Sequence, residues 1–324
     1  MFQKDGTPLP SAIAHRGYKA AYPENTMAAF AGAVQVGAHA IETDLHLSKD
    51  GVVMLSHDAT LKRCFGVDEK VSECDSSYLG SLRTIRQPPQ PMPQLSELLH
   101  YLGKPENEKV WLLLDIKTDD DPEELLSRTA ETINSLPTSR PWNERIVLGG
   151  WNIYYIELCR KYFPGFVIAN IGFLPYAFKY LKEPDVDFNI LQPTLLGPAG
   201  KHFVKKVKKL QRKLYVWTVN EEHWMEWSIR KKVDGVITDD PKLFLEVCER
   251  FSLPPSKRGD GNGGSLAVAH RRGPSTLKRA KLYITAFMFQ VFVFSFTLVF
   301  WRRVAKMGMA KPKVQTQAKV PTAA

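Results

Sequence analysis

The chain has 324 residues, of which 44% are hydrophobic and 24% are charged, a composition typical of a globular protein. Its four cysteines lie far apart with no Cys-x-x-Cys pair, which argues against a disulfide framework or a cysteine zinc site. Residues 252–324 hold 13 lysines and arginines and one acidic residue, a net charge of +12. Residues 1–251 hold 31 basic and 33 acidic residues, a net charge of −2. This weakly acidic body makes a nucleic-acid binder the least favoured interpretation.

Short apolar runs alternate with longer amphipathic segments, a pattern typical of parallel strands joined by helices. Nine runs are predicted as strands: Ser11–Ala14, Ala40–Leu45, Val52–Ser56, Val110–Ile116, Ile146–Gly149, Val167–Ile171, Phe188–Leu191, Leu214–Thr218 and Gly235–Thr238. The second and third are joined by residues 47–51, which are too short for a parallel crossover and contain a hairpin signal, Asp50-Gly51. Eight β/α units then remain, and we predict a TIM (β/α)8 barrel. A doubly wound sheet is the alternative, but no Gly-rich phosphate loop follows the first strand.

The composition changes after residue 251, where the predicted barrel domain, residues 1–251, ends. Residues 252–281 are rich in Pro, Gly, Ser and basic residues, so we interpret them as a flexible basic linker. Residues 282–301 contain no charged side chain and can span a hydrocarbon core of about 30 Å as a helix. We therefore predict a membrane anchor there, followed by a basic tail at residues 302–324. Both flanks are basic, so a tail anchor that crosses the bilayer and a monotopic insertion stay open.

Ionisable side chains gather at the carboxyl ends of the predicted strands, where TIM barrels place their active sites. Glu42 and Asp44 lie in the second strand, and Asp115 and Lys117 lie at the end of the fourth. Residues two apart on a strand share a face, so the three carboxylates are expected to face one centre. They would repel one another unless a cation lay between them, and oxygen ligands suit Mg²⁺ or Ca²⁺.

Two histidines flank this predicted centre, because His15 follows the first strand and His57 follows the hairpin strand. Such a pair can act as general base and general acid, while Arg16 and Lys117 can hold an anionic phosphoryl group. Taken singly, each histidine would more often be structural. Together with the carboxylates they indicate phosphodiester cleavage. Asp58, the next residue, is expected either to orient a neighbour or to cap a turn.

Eight motifs follow one another in a fixed order within residues 11–250: His15-Arg16-Gly17, Pro23-Glu24-Asn25-Thr26, Ile41-Glu42-Thr43-Asp44, Asp50-Gly51-Val52-Val53 before His57-Asp58, Pro93-Gln94-Leu95-Ser96-Glu97-Leu98, Leu114-Asp115-Ile116-Lys117, Val216-Trp217-Thr218-Val219-Asn220 and Asp234-Gly235-Val236-Ile237-Thr238-Asp239. This order resembles the glycerophosphodiester phosphodiesterase family. The resemblance implies a TIM barrel whose site residues fall into three groups: metal ligands Glu42, Asp44 and Asp115; an acid/base pair, His15 and His57; and substrate contacts Arg16, Lys117 and Trp217. Glu24 and Asn25 are expected to support the site or to form a helix N-terminus capped by Thr26.

Two departures from the family pattern bear on the substrate. Asp115 stands where many members have Glu, so the metal would be held by a shorter arm. The stretch between His57 and Pro93 is shorter than the corresponding segment of many soluble members, which often carries a small capping insertion. This shorter stretch predicts an open mouth for a bulky substrate. Together with the hydrophobic C-terminal segment, this makes the chain similar to the fungal phosphatidylglycerol phospholipase C members of the family. A head-group hydroxyl beside the phosphoester can attack phosphorus in phosphatidylglycerol, but not in phosphatidylcholine or phosphatidylethanolamine.

The leading hypothesis is therefore a metal-dependent phospholipase C that releases diacylglycerol and glycerol phosphate from phosphatidylglycerol. A glycerophosphodiesterase or a lysophospholipase D is the alternative with the same chemistry, and a catalytically silent lipid-surface binding protein is the alternative from another class. The expected partners are a phospholipid substrate and a membrane, with no nucleic acid and no protein. We expect a catalytic domain on the cytosolic side of the endoplasmic reticulum, the mitochondrial outer membrane or a lipid droplet. The basic run at residues 201–213 is predicted to be a solvated helix face or a contact for anionic head groups.

Overall fold

The structure, a computed structural model, describes residues 8–252. Nine strands form its sheet: β1 Ser11–His15, β2 Ala40–Leu47, β3 Val53–Leu55, β4 Trp111–Ile116, β5 Ile146–Gly150, β6 Val167–Gly172, β7 Val186–Leu191, β8 Leu214–Trp217 and β9 Gly235–Thr238. All nine predicted strands are confirmed, with ends that shift by two residues at most.

The sheet closes on itself. The strands hydrogen-bond in the order β1-β9-β8-β7-β6-β5-β4-β2, and β1 also pairs with β2. Every pairing in this ring is parallel, whereas β3 pairs antiparallel with β2, with Leu45 opposite Leu55. A TIM-like barrel of eight parallel strands with an added hairpin strand is therefore confirmed.

Helices surround the barrel between successive strands. The ten α-helices of residues 8–252 are α1 Met27–Gln35, α2 Lys62–Phe65, α3 Ser76–Ser81, α4 Leu95–Leu102, α5 Pro122–Ser135, α6 Ile153–Tyr162, α7 Leu174–Ala177, α8 Gly197–Lys209, α9 Glu222–Lys231 and α10 Pro241–Ser252. Short 3₁₀ helices cover Val71–Glu73, Pro105–Asn107, Trp142–Glu144, Phe178–Lys182 and Gln192–Leu195. The side chains of Thr26, Asp121 and Asn152 accept hydrogen bonds from backbone N–H groups in the first turns of α1, α5 and α6. These caps fix where each helix begins after its strand.

The inside of the barrel determines which residues reach the active site. A small apolar cluster fills its interior and includes Ile13, Ala40, Leu113, Tyr215 and Ile237. Side chains alternate along a strand, so the residue two positions further on points inward again, one layer nearer the carboxyl ends. Those positions hold, in the same order, His15, Glu42, Asp115, Trp217 and Asp239. The two-residue alternation of the strands therefore places these ionisable and aromatic side chains directly above the apolar interior.

Residues 58–92 form a separate layer beside the hairpin. They contain α2 and α3, and their buried side chains Leu61, Val71 and Leu79 pack with Met54 of β3 in a cluster of their own. The Arg86 guanidinium donates hydrogen bonds to the carbonyls of Lys19, Ala20 and Tyr22, in the loop between β1 and α1. This short segment therefore supports the loop that follows His15, the first of the two predicted catalytic histidines.

Within residues 8–252, every helix is too short or too polar to cross a bilayer. The linker, the membrane anchor at residues 282–301 and the basic tail are predictions that lie outside the described residues.

Gly17 begins the loop between β1 and α1, where its backbone conformation and the nearby Ala29 leave no room for a side chain. Its φ is +79°, and a Cβ there would lie 2.7 Å from the Cβ of Ala29. We predict that Gly17→Ala lowers the free energy of unfolding by about 2 kcal/mol or more, because it combines backbone strain with a clash against α1. Urea unfolding of the full chain measures this change.

Gly80 in α3 is the matched control, since a Cβ there has no neighbour within 4 Å. Gly80→Ala should leave stability unchanged or raise it by up to about 1 kcal/mol. Equal effects of the two substitutions would contradict the assigned role of Gly17.

Candidate active site

Three buried carboxylates meet at the carboxyl end of the barrel. Glu42, Asp44 and Asp115 each offer one oxygen, and these oxygens lie within 4.8 Å of one another. The register of β2 and β4 places Asp44 directly beside Asp115, and the alternation along β2 brings Glu42 to the same face. The sequence prediction that these three groups share one centre is confirmed.

Positive charge already reaches this cluster from Lys117. Its ammonium lies 2.6 Å from Asp44 Oδ1 and 2.6 Å from Asp115 Oδ2. Burial disfavours ionisation of Asp44, but the charges of Lys117 and Arg16 outweigh it and lower the pKa of this carboxyl. Lys117 is thus engaged with two predicted metal ligands, and its contact with phosphate stays a prediction.

At Glu42 the charges of Arg16 and Lys117 compensate only in part. Its pKa is raised well above the ordinary value, first by burial and then by the charges of Asp44 and Asp115. Burial also raises the pKa of Asp115. A divalent cation held by the three carboxylates would remove this cost, and its preference for oxygen donors matches the groups present. The residues therefore fit the predicted Mg²⁺ or Ca²⁺ site.

In each of the two predicted catalytic histidines, Nδ1 faces a carboxylate. His15 Nδ1 lies 2.6 Å from Asp239 Oδ1, and His57 Nδ1 lies 2.7 Å from Asp58 Oδ1. A carboxylate only accepts hydrogen bonds, so Nδ1 carries a proton in both rings and Nε2 is the atom that can exchange a proton with a substrate. His15 Nε2 is 4.0 Å from Glu42 Oε2, and both rings line the same cavity. Burial lowers the pKa of His15, while the hydrogen bond to Asp239 opposes this shift.

Arg16 is fixed between the loop and the carboxylates. Its backbone N–H donates to Glu42 Oε2, and its Nη1 donates to Glu24 Oε1 at 2.7 Å. Its buried Nε lies 3.4 Å from Asp44 Oδ2 and makes no hydrogen bond within the described part of the chain. This unsatisfied donor at the cavity wall suits a phosphoryl oxygen, as predicted for Arg16.

Glu24 and Asn25 support the site, which was one of their two predicted roles. Burial opposes ionisation of Glu24, but hydrogen bonds from Arg63 and Arg16 lower its pKa to about 2. Asn25 donates from Nδ2 to Asp44 Oδ2 at 2.8 Å and accepts from the hydroxyl of Thr43. Thr26 caps α1, which confirms the predicted helix N-terminus, and the contacts of Glu24 and Asn25 with Arg16 and Asp44 agree with the predicted supporting role.

The opposite wall of the cavity is largely apolar. It consists of Trp151, Ile171, Trp217 and Ile237, together with the amide of Asn189. The two indole rings meet edge to face, with centroids 6.0 Å apart. The cavity volume is about 80 Å³. Pockets that enclose a whole small ligand usually reach about 300 Å³ or more, so this one takes only the reacting head of a substrate.

Three residues of this site were not predicted from the sequence. Trp151 donates its indole N–H to Asp115 Oδ1 at 2.7 Å, Asp239 orients His15, and Asn189 lines the cavity. Asp239 and Asn189 continue the inward alternation of β9 and β7, a signal that period-two counting could have revealed. Trp151 lies just beyond β5, and only the barrel geometry brings it to β4.

The chain matches the model of the glycerophosphoryl diester phosphodiesterase family over residues 15–243. The chain belongs to this family. It is 28% identical over 248 residues to a glycerophosphodiester phosphodiesterase of Caldanaerobacter subterraneus subsp. tengcongensis, covering 74% of this chain and 97% of that protein. It is 27% identical to human lysophospholipase D GDPD1, covering 75% of this chain and 88% of that protein.

Solved structures show the same fold. A glycerophosphoryl diester phosphodiesterase from Silicibacter pomeroyi superposes with a TM-score of 0.68 at 20% identity, covering 76% of this chain and 95% of that chain. An Oleispira antarctica phosphodiesterase bound to sn-glycerol-3-phosphate superposes with a TM-score of 0.64 at 22% identity, covering 74% and 97%. The glycerophosphoryl diester phosphodiesterase family uses a divalent metal, in agreement with the acidic cluster found here.

Asp239 is a positioning residue for His15 in this family member. We predict that Asp239→Asn lowers kcat roughly 10- to 100-fold with little change in KM, because an amide N–H facing Nδ1 favours the wrong tautomer. Steady-state kinetics with the full chain over a pH series measure the effect. Asp68→Asn, on an exposed carboxylate, is the matched control and should change nothing. An unaltered kcat for Asp239→Asn would refute this role.

The acidic cluster is expected to bind a divalent ion in the folded state only. Addition of Mg²⁺ or Ca²⁺ should raise the melting temperature of the chain by roughly 5 °C at a concentration about 100 times the dissociation constant. Asp115→Asn should remove most of this shift, whereas Glu131→Gln, at an exposed site on α5, should retain it. Calorimetry in chelator and in metal gives the comparison, and an equal shift for both variants would place the ion elsewhere.

Proposed function

We propose that this family member is a phospholipase C that cleaves phosphatidylglycerol to diacylglycerol and glycerol phosphate. The observation that carries the proposal is the divided cavity. One wall bears two carboxylate-backed histidines and three clustered carboxylates, and the other bears two tryptophans. Such a site suits a substrate with an anionic, hydroxylated head and an apolar remainder. The uncharged segment at residues 282–301 supports a membrane lipid as that substrate.

Asn189 supports a head group that carries a hydroxyl. It lines the cavity, and its Oδ1 is buried with no hydrogen-bond partner among residues 8–252. A buried acceptor without a donor is costly, and a glycerol hydroxyl would supply the missing donor. The trimethylammonium group of choline has no such donor.

In the proposed reaction, the Nε2 of one histidine accepts the proton of the head-group hydroxyl next to the phosphoester. The oxygen freed of this proton bonds to phosphorus, the bond from phosphorus to the diacylglycerol oxygen breaks, and the other histidine protonates the leaving oxygen. Water then opens the cyclic glycerol phosphate with the two histidines in exchanged roles. Tethering of the nucleophile gives it a high effective molarity.

The remaining residues hold the anionic phosphoryl group during these steps. The guanidinium of Arg16, with its unsatisfied Nε, is placed to donate to a phosphoryl oxygen. Glu42, Asp44 and Asp115 would hold the divalent metal, which when bound supplies positive charge to the phosphoryl oxygens. Trp151 keeps Asp115 oriented through its indole N–H.

A second candidate is a lysophospholipase D activity on a choline lysolipid. The edge-to-face pair of Trp151 and Trp217 favours it, because indole faces attract quaternary ammonium groups. The human relative named lysophospholipase D is 27% identical to this chain. In that reaction the lysolipid hydroxyl would attack phosphorus and choline would leave.

A product assay separates the two candidates. Full-length protein with Mg²⁺ or Ca²⁺ is incubated with phosphatidylglycerol, with its analogue phosphatidyl-1,3-propanediol, which lacks the adjacent hydroxyl, and with lysophosphatidylcholine. We predict diacylglycerol and glycerol phosphate from the first and turnover lower by roughly 100-fold or more for the analogue. Release of choline from the third lipid as the main reaction would favour the second candidate.

Two variants test whether the assigned site catalyses this reaction. His15→Ala should lower turnover by roughly 100-fold or more, whereas His100→Ala, at an exposed position on α4, should not change it. Failure to turn over any of the three lipids, with metal bound, would overturn both candidates and favour a lipid-binding role.

A further inference from the structure

The cavity opens beside an exposed group of apolar side chains. Trp151 lines the cavity, and the next turn of chain begins α6 with Ile153 and Tyr154, which are 45% and 50% exposed. Single exposed apolar residues are common and carry little meaning. Here, however, two of the most exposed large apolar residues of the described chain are consecutive and adjoin an active-site wall.

The neighbouring loop extends this apolar surface. Half-buried Phe173 and Tyr176, at the start of α7, pack edge to face with centroids 5.0 Å apart. Adjacent parallel strands end at the same edge, so the loops after β5 and β6 lie side by side. We call these five side chains, Trp151, Ile153, Tyr154, Phe173 and Tyr176, the aromatic rim.

Cations flank the rim on one side. Lys179 lies 5.0 Å from the centroid of the Tyr176 ring. Exposed Lys201 and Lys205 follow on α8, which packs against the α7 region through the rings of Phe178 and Phe203. On the other side, the loop after β4 carries Asp119, Asp120 and Asp121, so these three lysines and three aspartates lie on different sides of the rim.

The cavity size indicates what covers this rim. A volume of about 80 Å³ is too small for a whole phospholipid, so the diacylglycerol part must remain outside, against the wall that continues into the rim. Aromatic and aliphatic side chains beside lysines are the composition that inserts at the head-group level of a bilayer. Exposed lysines add attraction to anionic lipids.

We propose that the aromatic rim docks the barrel onto an anionic phospholipid bilayer and delivers the lipid head group to the cavity. The proposal rests on the proposed phospholipase function. It assigns to the barrel itself a lipid contact, separate from the hydrophobic segment at residues 282–301.

The test uses the full-length double variant Ile153→Ser/Tyr154→Ser. Both side chains are exposed in the first turn of α6, whose cap comes from Asn152, so the fold is expected to persist. The matched control is Val167→Ser/Leu210→Ser. These residues are 40% and 47% exposed, but Val167 begins β6 and Leu210 follows α8, at the opposite end of the barrel.

Turnover is compared on two forms of one lipid, phosphatidylglycerol in mixed phosphatidylcholine vesicles and short-chain phosphatidylglycerol dissolved as monomers. The ratio of turnover on vesicles to turnover on monomers should fall roughly tenfold or more in the rim variant, because only the bilayer form requires docking. The control should match the original chain on both. Equal losses on both forms, or no loss on either, would overturn the proposal.

Amide hydrogen exchange locates the contact without depending on turnover. Vesicles containing phosphatidylglycerol should slow exchange at residues 151–156 and 173–178, and not at 76–81. If exchange at the rim is already slow without vesicles and vesicles do not slow it further, then residues 282–301 or a second copy covers the rim. That result would refute bilayer docking. If neither lipid form is cleaved while vesicles still protect the rim, the phospholipase function fails and docking stands. If vesicle lipid is cleaved but the rim variant equals the control, docking fails and the function stands.

Discussion

Electrostatic repulsion among three buried carboxylates is the constraint around which this active site is built. Glu42, Asp44 and Asp115 lie within hydrogen-bonding range of a common point, in a place where water cannot screen them. Such an arrangement persists only when cations and donors surround it. Lys117, which follows β4, and Arg16 and the amide of Asn25, which both lie in the loop between β1 and α1, act in this way. The loops at that edge are therefore held by charge as well as by packing.

A further set of ion pairs fixes the side chains that contact Arg16 and His57. Arg63, from the short layer beside the hairpin, donates to both Glu24 and Asp58. It thereby links the side chain that fixes Arg16 to the side chain that orients His57. The same network explains why a loop with positive φ at Arg16 and Asn25 can be maintained, since every strained residue is anchored by a hydrogen bond into the cluster. The same hydrogen bonds therefore position the site residues and stabilise the β1–α1 loop.

Two arcs of strands contribute different kinds of side chain to the cavity. The arc of β1, β2 and β4 supplies the charged residues, and the arc of β5 to β8 supplies the indole rings and Asn189. Few polar partners exist on the second arc, so its wall is suited to contact with the apolar part of a substrate.

The sequence by itself determined the nine strands, the hairpin and the residues that share a strand face, because alternation with period two is a local property. It also identified His15, Glu42, Asp44, His57 and Asp115, whose types and positions at strand ends suffice to indicate phosphodiester chemistry. Only the tertiary structure decided that Asp239 backs His15, that Trp151 holds Asp115 and that Lys117 lies between two carboxylates. The contact of Asp239 with His15 joins the last strand to the first, so closure of the barrel sets its distance, whereas the contact of Trp151 with Asp115 depends on the pairing of β5 with β4. For Lys117, the choice between a phosphate and two carboxylates depends on the local balance of charge, which no pattern of residues encodes.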